Sequence, residues 1–216
     1  MSCNVPTNDY IELAILYLSG TERKTIILDC ETTGLDPSKD EILQLAILSG
    51  EGDVLYNKLL RPVRLSSWPE AEMIHHISPD MVSSAPTIAE ELSAIQSIIS
   101  SSELVLGYNT SFDIRFLQVA GIDIDHLWDK KHGCYWIEDL MELFAPIYGD
   151  WSEYHQSFTW KSLGVAAAHY GYTWPDGAAH DALADCRATL HVWKSMVEKG
   201  DIKSSLYKTY LKLMDG

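Results

Sequence analysis

The chain has 216 residues, 46% hydrophobic and 22% charged, which fits one large domain or two small ones and excludes disordered and collagen-like architectures. Sixteen basic residues against 31 acidic ones leave a net charge of -15, the wrong sign for a clamp that grips duplex nucleic acid through many phosphates. The longest run free of Asp, Glu, Lys and Arg covers residues 162–175, too short for a bilayer span, and no Lys or Arg precedes Arg23, so the reading is a cytoplasmic chain without membrane contact.

Residues 8–20 read as a docked helix closed by Gly20. Residues 25–28 form a β-branched run that leads into the charged tetrapeptide DCET. Residues 41–48 and 54–60 are two further strands joined by the turn SGEGD, and three strands with short links predict an antiparallel meander. After a loop over 61–86, apolar spacing predicts a helix over 87–101, with Pro86 in its first turn. A fourth strand follows at 103–107, then a helix at 112–120 stopped by Gly121, and a short fifth strand at 134–137. Helices are predicted at 138–144, 162–170 and 181–197, with a mildly basic helical tail over 199–216. The class is α/β: a mixed five-stranded sheet flanked by helices, in a single domain spanning 1–216.

Four cysteines, Cys3, Cys30, Cys134 and Cys186, lack C-x-x-C pairing, so they read as reduced thiols, with Cys30 and Cys186 inside the core. The aromatic stretch from Trp128 to Trp160 reads as a loop packed on its own rings, or alternatively as a platform for a nucleobase.

Chemistry enters with the acids. Asp29 and Glu31 lie two apart at the end of a strand, so their carboxylates share a face. Two such charges are costly together unless a cation sits between them, and a divalent metal is the usual one. Asp113 opens the helix after the fourth strand and so lies at the same carboxyl edge; Asp185 opens the last long helix. His180 stands five residues before Asp185, a step that separates side chains by about 140° on a regular helix. The two serve one site only if His180 precedes the helix and Asp181 lies near its N-cap.

Three segments in order, ILDCETTGL (27–35), GYNTSFDIRFL (107–117) and HDALADCRAT (180–189), resemble the three motifs of the DEDDh, or DnaQ-like, 3′–5′ exonucleases. MIHHISPDMV (73–82) is similar to that family's loop after the third strand, and the resemblance covers about residues 24–196. It implies a ribonuclease H-like fold and hydrolysis of phosphodiesters at a 3′ end with two Mg²⁺ ions, for which Mn²⁺ substitutes. By the same resemblance Asp29, Glu31, Asp113 and Asp185 are the metal-site acids, with Asp113 acting largely through water, and His180 is the general base. Thr32, Asn109 and Phe112 are the implied substrate contacts, although Phe112 has an equal claim to the core.

The chain departs from the pattern at Tyr108, where members often have His, and at His76, where Gly is common. The expected substrate is single-stranded DNA or a frayed 3′ end. RNA, cut by an exoribonuclease of the ribonuclease T or oligoribonuclease kind, is the alternative, and a non-catalytic adaptor with a polymerase or repair partner is another.

Overall fold

The computed structural model describes residues 24–130, 134–175 and 180–202. The helix expected at 8–20 and the tail beyond Ile202 lie outside the described residues. Strand β1 (Thr25–Thr32) is the axis of the molecule. It pairs antiparallel with β2 (Ile42–Ser49), which pairs antiparallel with β3 (Val54–Leu59), giving the meander that the short links predict. On its other side β1 runs parallel to β4 (Leu104–Gly107), so the chain between β3 and β4 crosses over through helices α1 (Pro69–His75), α2 (Pro79–Val82) and α3 (Ile88–Ser100). Helix α4 (Thr110–Val119) follows β4.

A central strand buried on both faces must be apolar on both, and β1 is so only along its first half. Ile26, Leu28 and Cys30 pack on one face against Ile95, Ile99, Ile114 and Leu117. Ile27 packs on the other, against the face built from Cys186 and Ala188. The next residues on that second face are Asp29 and Glu31, so the apolar layer ends where the carboxylates begin.

The expected fifth strand is displaced. Residues 134–137 divide: β6 (Cys134–Tyr135) pairs with β5 (Trp128–Asp129) in a separate ribbon, and β7 (Ile137–Asp139) joins the sheet beside β4. The main sheet order is therefore β3-β2-β1-β4-β7. Helix α5 (Leu140–Tyr148) starts after, not within, residues 138–139, because Asp139 turns back to cap it through the Met141 amide at 3.0 Å. At α3 the capping box is Thr87 with Glu90, which puts Pro86 before the cap rather than in the first turn.

The aromatic stretch folds back as a two-stranded hairpin, β8 (Trp151–Ser152) and β9 (Ser157–Phe158), with Trp151 edge-on to Phe158 at 5.1 Å. Packing on its own rings thus accounts for those two, while Tyr154 at the tip and Trp160 beyond it are exposed. Helix α6 (Leu163–His169) and the long helix α7 (Ala182–Lys199) lie on the face shared by Ile27 and Asp29. Among the described residues no helix is long and apolar enough to cross a membrane.

Candidate active site

The sequence brings its acids together from two elements. Asp29 and Glu31 come from alternate positions of β1, and Asp185 from the first turn of α7. One carboxylate oxygen of each lies within 4.8 Å of the other two, and all three side chains are partly buried. Three acids at this spacing repel. Burial raises the Asp29 carboxyl well above the usual range, and Asp113, Glu31 and Asp185 push it further. Glu31 is pushed up to about 8, chiefly by burial and then by Asp185 and Asp113. Asp185 is also raised by burial, but the Trp174 indole, which donates to its carboxylate, and the neighbouring His180 hold it back.

Asp113 stands beside this group rather than within it. Its side chain is buried, and Oδ1 accepts the Cys30 amide at 2.9 Å, so it pins β1 between the two motif acids. Burial lifts Asp113 to about 8 against the lowering effect of that bond. His180 precedes α7 and is exposed, with φ 66°, and Asp181 is the N-cap, its carboxylate accepting the Ala184 amide at 3.0 Å. The geometric condition for His180 and Asp185 to face one site is met.

Gln44 of β2, the lone polar residue in the run ILQLAIL, locks this helix start to the sheet. Its amide nitrogen donates to Asp181 Oδ2 at 2.9 Å, and its carbonyl oxygen accepts the Ala182 amide at 3.2 Å. The sequence reading passed over Gln44, although a buried amide within an apolar strand was the available signal.

The implied substrate contacts line the same edge. Thr32 is buried, its hydroxyl donating to the Gly34 carbonyl at 2.6 Å. Asn109 is exposed in the left-handed region at φ 63°, its side chain capping nothing, while its amide donates to Asp139 Oδ1 at 2.8 Å. Asp139 thus holds Asn109 and α5 at once, a second residue that the sequence reading missed; its only signal was that of an N-cap acid. Phe112 is half-buried and packs 4.9 Å from Phe116 against the core. Tyr108, the departure from the family pattern, donates its hydroxyl to the Lys161 carbonyl at 2.7 Å and so ties the α6 entrance to the end of β4.

From the loop after β3, His75 reaches the motif strand. Its Nδ1 accepts the Ile77 amide at 3.0 Å, so Nε2 carries the proton and donates to the Thr32 carbonyl at 3.2 Å. Burial lowers its pKa and keeps it neutral. His76 then takes the left-handed C-cap of α1 at φ 61°.

A five-stranded mixed sheet with convergent carboxylates at the end of its central strand defines a nuclease of the ribonuclease H-like fold. Residues 26–193 match the exonuclease family model. The chain belongs to the DnaQ-like exonuclease family, and it is a nuclease.

Among its relatives is an uncharacterized exonuclease, CP81, of Escherichia phage 186, 31% identical over 83% of this chain and 91% of that one. A PolC-type DNA polymerase III of Thermotoga petrophila is 30% identical over 84% of this chain but only 12% of its own length. Of solved structures, Escherichia coli exonuclease I in complex with a dA16 oligonucleotide superposes with a TM-score of 0.64 at 22% identity, covering 81% of this chain and 41% of that one. Exonuclease X in complex with 5′-overhanging duplex DNA gives 0.57 at 23% identity, over 82% and 93%. These two likenesses speak for the fold.

Proposed function

We propose that the protein removes nucleotides one at a time from the 3′ end of single-stranded or frayed DNA by metal-dependent phosphodiester hydrolysis. The observation that carries this is the convergence of Asp29, Glu31 and Asp185 within 4.8 Å beside His180. The site fits divalent cations: three partly buried carboxylates with raised pKa values are an arrangement that positive charge relieves. All the donors are hard oxygens, which suits Mg²⁺ or Mn²⁺ rather than softer metals.

Asp29, Glu31 and Asp185 would hold the cation, with Asp113 supporting from behind β1. When bound, a pair of such ions supplies an acidified water and positive charge at the leaving 3′ oxygen. His180 takes the proton from the attacking water, a role suited to an imidazole that is exposed and unrestrained by a helix. The water oxygen bonds to phosphorus, the bond to the 3′ oxygen breaks, and a nucleoside monophosphate leaves. Thr32 and Asn109 line the pocket for the terminal nucleotide; Phe112 shapes it from the core. Exonuclease I and exonuclease X, seen with DNA, and the PolC-type relatives support DNA as the substrate class.

Digestion of 5′-labelled single-stranded DNA, duplex DNA and RNA of one sequence, with Mg²⁺ and with EDTA, tests the reading. A ladder that shortens from the 3′ end, strongest on single-stranded DNA and absent in EDTA, is expected. Internal cuts or activity without metal overturn the mechanism, and a ladder on RNA alone reassigns the substrate.

A further inference from the structure

Asp185 is held by more than its helix. The Trp174 indole Nε1 donates to its Oδ1 at 3.2 Å, from the segment that leads to His180. That indole is itself fixed: Tyr172 meets it edge-on, with ring centroids 5.2 Å apart and planes at 88°. Tyr172 in turn lies 5.2 Å from His191 of α7, and His191 Nε2 donates to the Tyr170 carbonyl at 3.0 Å. A chain of rings therefore runs from the middle of α7 back to its first turn and ends on one oxygen of Asp185. Nothing in the proposed hydrolysis requires a tryptophan there, and no motif of the sequence singles it out.

The chemistry of that bond bears on which cation the site prefers. An oxygen that already accepts an indole N–H is a poorer partner in two-oxygen chelation, so Asp185 is preset to offer its other oxygen alone. Small cations with strict octahedral demands use single carboxylate oxygens, whereas Ca²⁺ takes bidentate carboxylates readily at longer range. Groups that orient a ligating side chain typically contribute ten- to a hundred-fold in metal affinity. We infer that Trp174 is a positioning residue of the metal centre, which orients Asp185 for one-oxygen coordination and so favours Mg²⁺ and Mn²⁺ over Ca²⁺. This inference rests on the metal site proposed above.

Calorimetric titration of the full chain with Mn²⁺ and, separately, Ca²⁺ tests it, on the wild type, Trp174→Phe and Trp174→His. Phe keeps an aromatic ring towards Tyr172 and removes the donor; His offers a ring N–H again. About a tenfold loss of Mn²⁺ affinity in Trp174→Phe is expected, with Ca²⁺ binding undiminished, and with Mn²⁺ affinity partly recovered in Trp174→His. Equal losses for both ions would make Trp174 a packing residue, and unchanged Mn²⁺ affinity would remove its role altogether. Should Trp174→Phe fail to fold, Trp174→Leu, which also lacks the donor, replaces it, and the same selective loss of Mn²⁺ affinity is required of it. If the wild type binds neither ion, the metal site itself fails; if it binds Mn²⁺ and the variants match it, only this inference does.

Discussion

Asp29 and His180 make opposite demands on the chain. Asp29 is partly buried among acids and disfavours the metal-free fold, whereas His180 is exposed. Asp29→Ala should therefore nearly abolish hydrolysis while melting at the same temperature as the wild type or higher. His180→Ala should lower single-turnover rates by about 10²–10⁴, the usual contribution of a positioned base, and leave Mn²⁺ affinity unchanged. A calorimetric loss of Mn²⁺ in His180→Ala would make the histidine a ligand instead. His76 offers a third test at this scale. A non-glycine residue in the left-handed region is strained, so His76→Gly should stabilise the protein by about 1 kcal/mol, read from urea midpoints. The doubled histidine was visible in the sequence as a departure, but that its second member closes a helix was not, because α1 itself lay in a stretch that reads as loop.

The elements divide by how much their position depends on local sequence. The meander and the helices at 88–100 and 182–199 were legible from alternation, spacing and caps, since each signal lies within its own segment. The fifth strand was not: residues 134–139 hold two candidate strands, and choosing between them depends on β4, distant in sequence. The candidate site was legible because its residues sit at positions that local pattern fixes, two steps along a strand and one residue before a helix N-cap. Gln44, Asp139 and Trp174, which hold those residues in place, act across elements and left almost no local trace. Gln44→Leu tests that class of residue. It leaves the Ala182 amide without its acceptor and Asp181 Oδ2 without the Gln44 donor, so a loss of about 1–3 kcal/mol in denaturant unfolding is expected, with a fall in kcat from a displaced α7 start.

Taken whole, the molecule is an acidic protein whose core layer ends in a patch of trapped negative charge. Glu31 and Asp113 are both raised to about 8 in the fold, so between their unfolded values near 4 and about 8 the native state binds more protons than the unfolded chain. Stability of the metal-free protein should accordingly fall as pH rises across that window and level off above it. Mn²⁺ should raise the melting temperature more at about pH 8 than at about pH 5, because it replaces protons that the acids have lost. A metal-free melting temperature that climbs steadily from about pH 5 to 8 would mean that these carboxylates are already compensated by protein groups.

The central claim is that cations held by Asp29, Glu31 and Asp185 act on the scissile phosphodiester, and metal rescue tests it most directly. A 5′-labelled DNA strand carries a single bridging sulfur in place of one 3′ oxygen, and its digestion is followed in Mg²⁺ and in Mn²⁺. Sulfur is a softer ligand than oxygen and binds Mn²⁺ better than Mg²⁺. The prediction is a ladder that stalls at the modified bond in Mg²⁺ and passes through it in Mn²⁺, while the all-oxygen strand is digested in both. Equal passage in both metals, or passage in EDTA, would contradict metal contact with the leaving atom and with it the proposed role of the three carboxylates.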